Sequence, residues 1–192
     1  MINNTKTVQD FLLTRRSVPY KTLTTPAPTH GELAPLLTAA MRVPDHGKLE
    51  PWRFIILTDT ALPRLAALTH QRGAALGLEA DKIEKLAVTF ANAPLIVAVI
   101  ACPEPSDKVP KIEQLYSAGA VCLSLLNAAL ASGWGANWLS GWPSHDREFL
   151  TDGLNLAHDE IIAGFVHIGT AKCAPPERPR PDVSRLTTWI DQ

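Results

Sequence analysis

An α+β fold built in three layers, with helices on both faces of a central mixed sheet, is predicted by three observations on this 192-residue chain. Helical and strand-like patterns follow one another as helix, helix, strand, helices, strand, helix, strand, helix, strand. Leu95-Ile-Val-Ala-Val-Ile100 is continuously apolar and rich in β-branched residues, as a strand covered on both faces requires. Ile112 to Ala131 reads as a long core helix. No linker-like stretch or internal repeat divides the chain, so residues 1–192 are expected to form one domain.

The elements are justified in order. Val8, Phe11 and Leu12 recur at helical spacing behind Thr5 or Thr7 as N-caps, giving a short amphipathic helix that stops near Arg15-Arg16. Thr29 and Glu32 make a capping-box pattern ahead of the apolar stripe Leu33, Leu36, Leu37, Ala40 and Met41, so a second helix is expected to about Arg42. Pro35 should bend its first turns, and Pro44 ends it. Phe54 to Leu57 suits a buried strand. Helices follow from Leu62 to about Leu78 and from Asp81 to just before Pro94. Gly133 is placed to cap the long helix. Trp134 to Leu139 and Ile161 to Ile168 read as two further strands, separated by a short helix begun at Ser144. Cys173 to Gln192 is a proline-rich arm ending in Val183, Leu186, Trp189 and Ile190; it needs an external surface to lie on.

Composition excludes several classes. Eighteen Lys+Arg against nineteen Asp+Glu leave a formal charge of -1, which argues against nucleic acid or an anionic membrane as partner. The first residues lack a secretory pattern, and the longest apolar run, roughly Ala118 to Ala131, is too short to cross a bilayer of ~20-residue thickness. A cytoplasmic location is expected. Cys102, Cys122 and Cys173 have neither CxxC spacing nor histidines at zinc-ligand intervals, so they read as structural thiols and no metal is expected. Gly133-Trp134-Gly135 follows a helix and precedes a strand, the reverse of a dinucleotide-binding turn. Ser140 lacks the Gly-x-Ser-x-Gly elbow of hydrolases.

Arg15-Arg16-Ser17 offers two guanidinium groups and a hydroxyl at a helix end, the equipment for a phosphate monoester, although solvated arginine pairs are also common there. Arg42 to His46 can be read as a helix-end cation and a turn closed by Asp45, or as ligands. Pro51-Trp52 reads as packing beside a strand start. Taken in this order, Arg15-Arg16-Ser17, Arg42, Pro44-Asp45-His46 and Pro51-Trp52 resemble the short-chain branch of the flavin-dependent nitroreductase family, and the likeness extends along nearly the whole chain.

That resemblance implies the nitroreductase fold and a homodimer with FMN held in clefts shared between subunits, the C-terminal arm (173–192) packing on the partner. It places Arg15, Arg16 and Ser17 at the phosphate and ribityl chain, Arg42 and His46 on the FMN of the other subunit, and Trp138-Leu139-Ser140 along the flavin. Arg180, in Arg178-Pro179-Arg180, stands where longer relatives add a phosphate contact. The implied activity is a ping-pong oxidoreductase: NAD(P)H reduces FMN, which reduces a nitroaromatic, quinone or related acceptor. No side chain need serve as nucleophile.

Three departures are visible. Pro19 stands where many members carry a lysine near flavin N1, leaving Arg42 of the partner subunit as the candidate replacement. Leu139 replaces an often basic residue. No asparagine occurs between Asn4 and Asn92 to read the ring edge, so other groups must do so. The lost lysine keeps open an alternative, a flavin-binding module that stores FMN or senses redox state without turnover.

Overall fold

The computed structural model describes residues 8–191. The candidate N-caps Thr5 and Thr7 lie outside the described residues. Helix α1 (Val8–Thr14) is followed by the two-residue strand β1 (Leu23–Thr24) and by α2 (His30–Ala40). The predicted capping box is present: the Thr29 hydroxyl accepts from the Glu32 N–H while the Glu32 carboxylate accepts from the Thr29 N–H at 2.9 Å. Pro35 is accommodated inside α2, which ends at Ala40, before Arg42 and well before Pro44.

Strand β2 (Trp52–Leu57) leads into the hairpin of α3 (Ala61–Ala75) and α4 (Ala80–Ala91), then β3 (Ile96–Ala101). α5 (Lys111–Ala131) ends in Ser132 and Gly133, whose φ of 86° provides the left-handed turn that glycine adopts without strain. β4 (Gly135–Leu139) and β5 (Ile161–Ala171) complete the sheet. Between them the expected helix at Ser144 is replaced by a 3-10 turn, Trp142–Ser144, and a π-helical turn, Phe149–Gly153. A four-residue helix α6 (Val183–Leu186) lies in the arm.

The sheet differs from expectation in one respect. Among the described strands every pairing is antiparallel, β2 with β3, β3 with β5, β4 with β5 and β1 with β5, so it is not mixed within one chain. β5 is the hub, three residues longer than the sequence pattern suggested, because its last residues pair with β1. Two cores sandwich the sheet. Leu65, Phe90, Ile96, Phe149 and Phe165 pack on the α3–α4 face, and Leu33, Val97, Val121, Leu125 and Val166 on the α2–α5 face. The alternation of β3 side chains between them explains why its sequence is apolar throughout.

By length and apolarity, α5 as a 21-residue helix does match a membrane span, contrary to the expectation from its shorter apolar run. Its inner face, including Ala118, Val121, Cys122, Leu125 and Ala129, is instead buried against the α2–β-sheet core.

Candidate functional site

The chain from Arg15 to Val18 sets the site. α1 stops where Arg15 N–H donates to the Phe11 carbonyl at 2.7 Å, and Pro19 biases Val18 to an extended conformation. Val18 then lies along the edge of β4: its N–H donates to the Ala136 carbonyl at 2.9 Å, and its carbonyl accepts from Asn137 Nδ2 at 2.9 Å. Because Ala136 turns its carbonyl away from β5, strand alternation turns the N–H and C=O of Trp138 to that same edge. Past Ala136 no described strand pairs with it. A ligand can therefore meet free backbone donors and acceptors there.

Arg15, Arg16, Ser17 and Arg180 are brought together in one cleft of about 510 Å³, with Asn137, Tyr20 and the Pro175–Pro181 segment as its other walls. Arg15 donates to Ser17 Oγ at 3.2 Å, while its Nε is buried without a partner. Arg16 donates to the Pro176 carbonyl and pairs with Glu177 at 3.2 Å; Arg180 pairs with the same carboxylate at 3.3 Å. Two guanidinium groups thus share one carboxylate, and Arg15 has no carboxylate partner among the described residues. Burial, then the nearby charges of Arg180 and Arg16, lower the pKa of Arg15. An anion would relieve both the orphaned Nε and the repulsion.

Tyr20 is common to this cleft and to a smaller, mostly apolar pocket of about 250 Å³ between α4 and the ends of β4 and β5. Leu139 and Ser140 line that pocket, as do Lys85, Thr89, Phe90, Phe165 and His167. Tyr20 is thus a wall of both concavities, one rich in guanidinium groups and the other mostly apolar.

Other expected residues are placed elsewhere. The side chain of Trp138 projects to the opposite sheet face from Leu139, against Gly164, where any Cβ would overlap the indole. Only the Trp138 backbone reaches the β4 edge. His46 stands apart from Arg15 in the same chain, and Arg42 follows the end of α2, its N–H donating to the Ala39 carbonyl at 3.1 Å. His46 Nδ1 lies 2.8 Å from Glu113 in the first turn of α5, whereas Arg15 shares a groove with Asn127 and Ala128 near its end, ~20 Å along the helix. Asp45 closes its turn by accepting from Leu49 and Glu50 N–H groups at 3.1 and 2.9 Å. Trp52 is structural as expected: its Nε1 donates to Ser117 Oγ at 3.1 Å.

Sequence reasoning missed Tyr20, Lys85, Thr89, Asn137 and His167. His167 gave one signal, a histidine inside the otherwise apolar run Ile161 to Ile168. Among the described residues no group of three His, Cys, Asp or Glu side chains could hold a metal.

Comparison with known proteins identifies the family and agrees with this fold. The model of the nitroreductase family matches residues 12–170. The chain is 34% identical over 161 residues to YdjA of Escherichia coli strain K12, which carries an NAD(P)H nitroreductase name; the match covers 84% of this chain and 86% of YdjA. A crystal structure of a nitroreductase-like family protein from Bacillus cereus superposes with a TM-score of 0.83 at 22% identity, over 100% of both chains. An FMN-dependent nitroreductase from Clostridium difficile R20291 superposes with a TM-score of 0.68 at 18% identity, over 95% of this chain and 98% of that one.

Proposed function

We propose, from the premise that this chain belongs to the nitroreductase family and is an oxidoreductase, that it is an FMN-dependent enzyme which uses NAD(P)H to reduce nitroaromatic, quinone or related acceptors by a ping-pong route. The observation that carries the reading is the pair of concavities that share Tyr20 as a wall, one with excess guanidinium charge and the other mostly apolar. A mononucleotide with a planar ring has that distribution of charge and shape.

Arg15, Arg16, Ser17 and Arg180 would hold the phosphate. Arg15 is the chief partner, since Arg16 and Arg180 already share Glu177. The outward N–H and C=O of Trp138 offer directional hydrogen bonds at the β4 edge, and Leu139 supplies apolar contact. Ser140 would border the ring, and the slot would shield it from water. Bound FMN supplies hydride and electron transfer at N5, a chemistry no side chain here provides.

The site is completed by a second copy of the chain. His46, far from Arg15 in one subunit, and Arg42 would contribute to the other subunit's FMN, and the exposed arm would pack on the partner.

The test is the visible spectrum of the purified protein, followed by NADH or NADPH oxidation with a nitroaromatic acceptor. Bound oxidised flavin and acceptor-dependent turnover are expected. A colourless protein that FMN cannot reconstitute overturns the reading; a yellow protein without turnover leaves storage or sensing in its place.

A further inference from the structure

Two polar side chains in the apolar slot lack hydrogen-bond partners. The Tyr20 hydroxyl is buried without one. His167, 2% exposed, has no hydrogen bond to its imidazole among the described residues; its one specific contact is the Tyr20 ring, 6.2 Å away between centroids and tilted by 52°. Both line the same pocket. Burial holds His167 neutral, its pKa lowered to about 4. A neutral imidazole has one donor and one acceptor nitrogen, and a phenol has a donor and acceptor oxygen.

Folded proteins seldom leave a buried hydroxyl such as that of Tyr20 unsatisfied, because a lost partner costs about 1–3 kcal/mol. The unbonded Tyr20 hydroxyl, beside an imidazole with no hydrogen bond among the described residues and lining the same pocket, points to a partner that the pocket receives. It must be flat, because Leu86, Phe90 and Phe165 wall the slot, and its edge must both donate and accept. The slot shares Tyr20 as a wall with the arginine-lined cleft, a placement that suits one molecule with a phosphate at one end and this edge at the other.

We propose that Tyr20 and His167 read the pyrimidine edge of a flavin ring, His167 accepting from its N3–H and Tyr20 donating to a neighbouring ring carbonyl. This rests on the reading of the site as an FMN site, and it assigns to a strand histidine and a loop tyrosine the edge recognition for which the chain has no asparagine near Pro51-Trp52. Lys85, the one cation among the slot's described walls, would add charge beside that edge.

The experiment measures equilibrium binding of FMN and of 3-methyl-FMN, which lacks the N3–H, to the wild type and to His167→Phe and Tyr20→Phe. Wild type should prefer FMN by about tenfold or more, the value of one buried hydrogen bond. His167→Phe should bind both ligands within about twofold of each other, with the loss falling on FMN. Tyr20→Phe removes a single oxygen and serves even where the histidine variant fails to fold. It should weaken both ligands by a similar factor while keeping the preference. Equal affinity of wild type for the two ligands, or Tyr20→Phe affinities equal to wild type, would mean that water alone satisfies these groups, and would overturn the proposal while leaving FMN binding intact. Failure of wild type to bind FMN at all instead removes the functional reading beneath it.

Discussion

Arg15 is held in a partly buried position between two other guanidinium groups, with its Nε directed at no acceptor. Such an arrangement persists when a ligand supplies the compensating charge. Arg15→Ala should leave the fold intact and weaken FMN binding by more than tenfold, in line with the about 2–5 kcal/mol lost on removing one partner of a hydrogen-bonded charge pair. Titration of the apoprotein by flavin fluorescence measures this, and an unchanged dissociation constant would rule out Arg15 as phosphate ligand. At this scale the shared cleft of Arg15 and Ser17 was legible because the motif is contiguous and Pro19 fixes the chain that follows. Tyr20 and His167 were not, because their meeting depends on the packing of a loop against a strand distant in sequence. Trp138 lies on the strand that the sequence predicts, but strand alternation sends its side chain to the face opposite Leu139.

β5 organises the elements by pairing with β1, β3 and β4, and the loop before it ties the sheet's far corner. There Glu160 accepts from Arg53 Nε and Nη2 at 2.6 and 2.8 Å, from the Ala157 N–H at 2.9 Å and from the Cys102 thiol at 3.3 Å. The Arg53 hydrogen bonds chiefly hold the Glu160 carboxyl at a pKa of about 2. Burial, reinforced by the Glu160 carboxylate, pushes the Cys102 thiol up to about 12, which suits an unreactive structural cysteine. A depressed carboxylate stabilises the fold fully above its unfolded pKa, so this contribution should be lost as pH falls from about 4.5 to about 2. Glu160→Gln should lower neutral-pH stability by about 1–2 kcal/mol, discounted because Arg53 is open to water, and should remove that segment of the acid limb. Urea melts between pH 2 and 7 check it; parallel stability curves for variant and wild type would refute it. The main helices and four longer strands were legible from periodicity and caps. The two-residue β1 and the π-helical turn were not, because neither is long enough to impose a period on the sequence.

The molecule as a whole carries apolar surface that one chain does not cover. Val183, Leu186, Trp189 and Ile190 in the arm are 75%, 62%, 83% and 84% exposed. On α5, Ile112, Tyr116 and Leu123 are exposed at spacings of four and seven, one unpartnered helical face beside the turn that carries His46. Both are accounted for if a second copy packs on α5 and receives the arm, which also carries Arg42 and His46 toward the other subunit's cleft. The arrangement can be divided experimentally, because the arginine-lined cleft uses the arm only as far as Pro181, while the apolar residues begin at Val183. A chain ending at Pro181 should keep the cleft and lose part of the interface. Each fully buried large side chain contributes about 1.5–3 kcal/mol, so removing four should raise the dimer dissociation constant at least a hundredfold even with partial burial. Sedimentation at micromolar concentration should find the full chain dimeric and the truncated one shifted toward monomer, with Arg15 and Ser17 still in place to bind phosphate. A full-length, FMN-loaded chain that sediments as a monomer excludes the shared site; a truncated chain that stays as tightly dimeric as the intact one places the interface on α5 and takes the arm out of it.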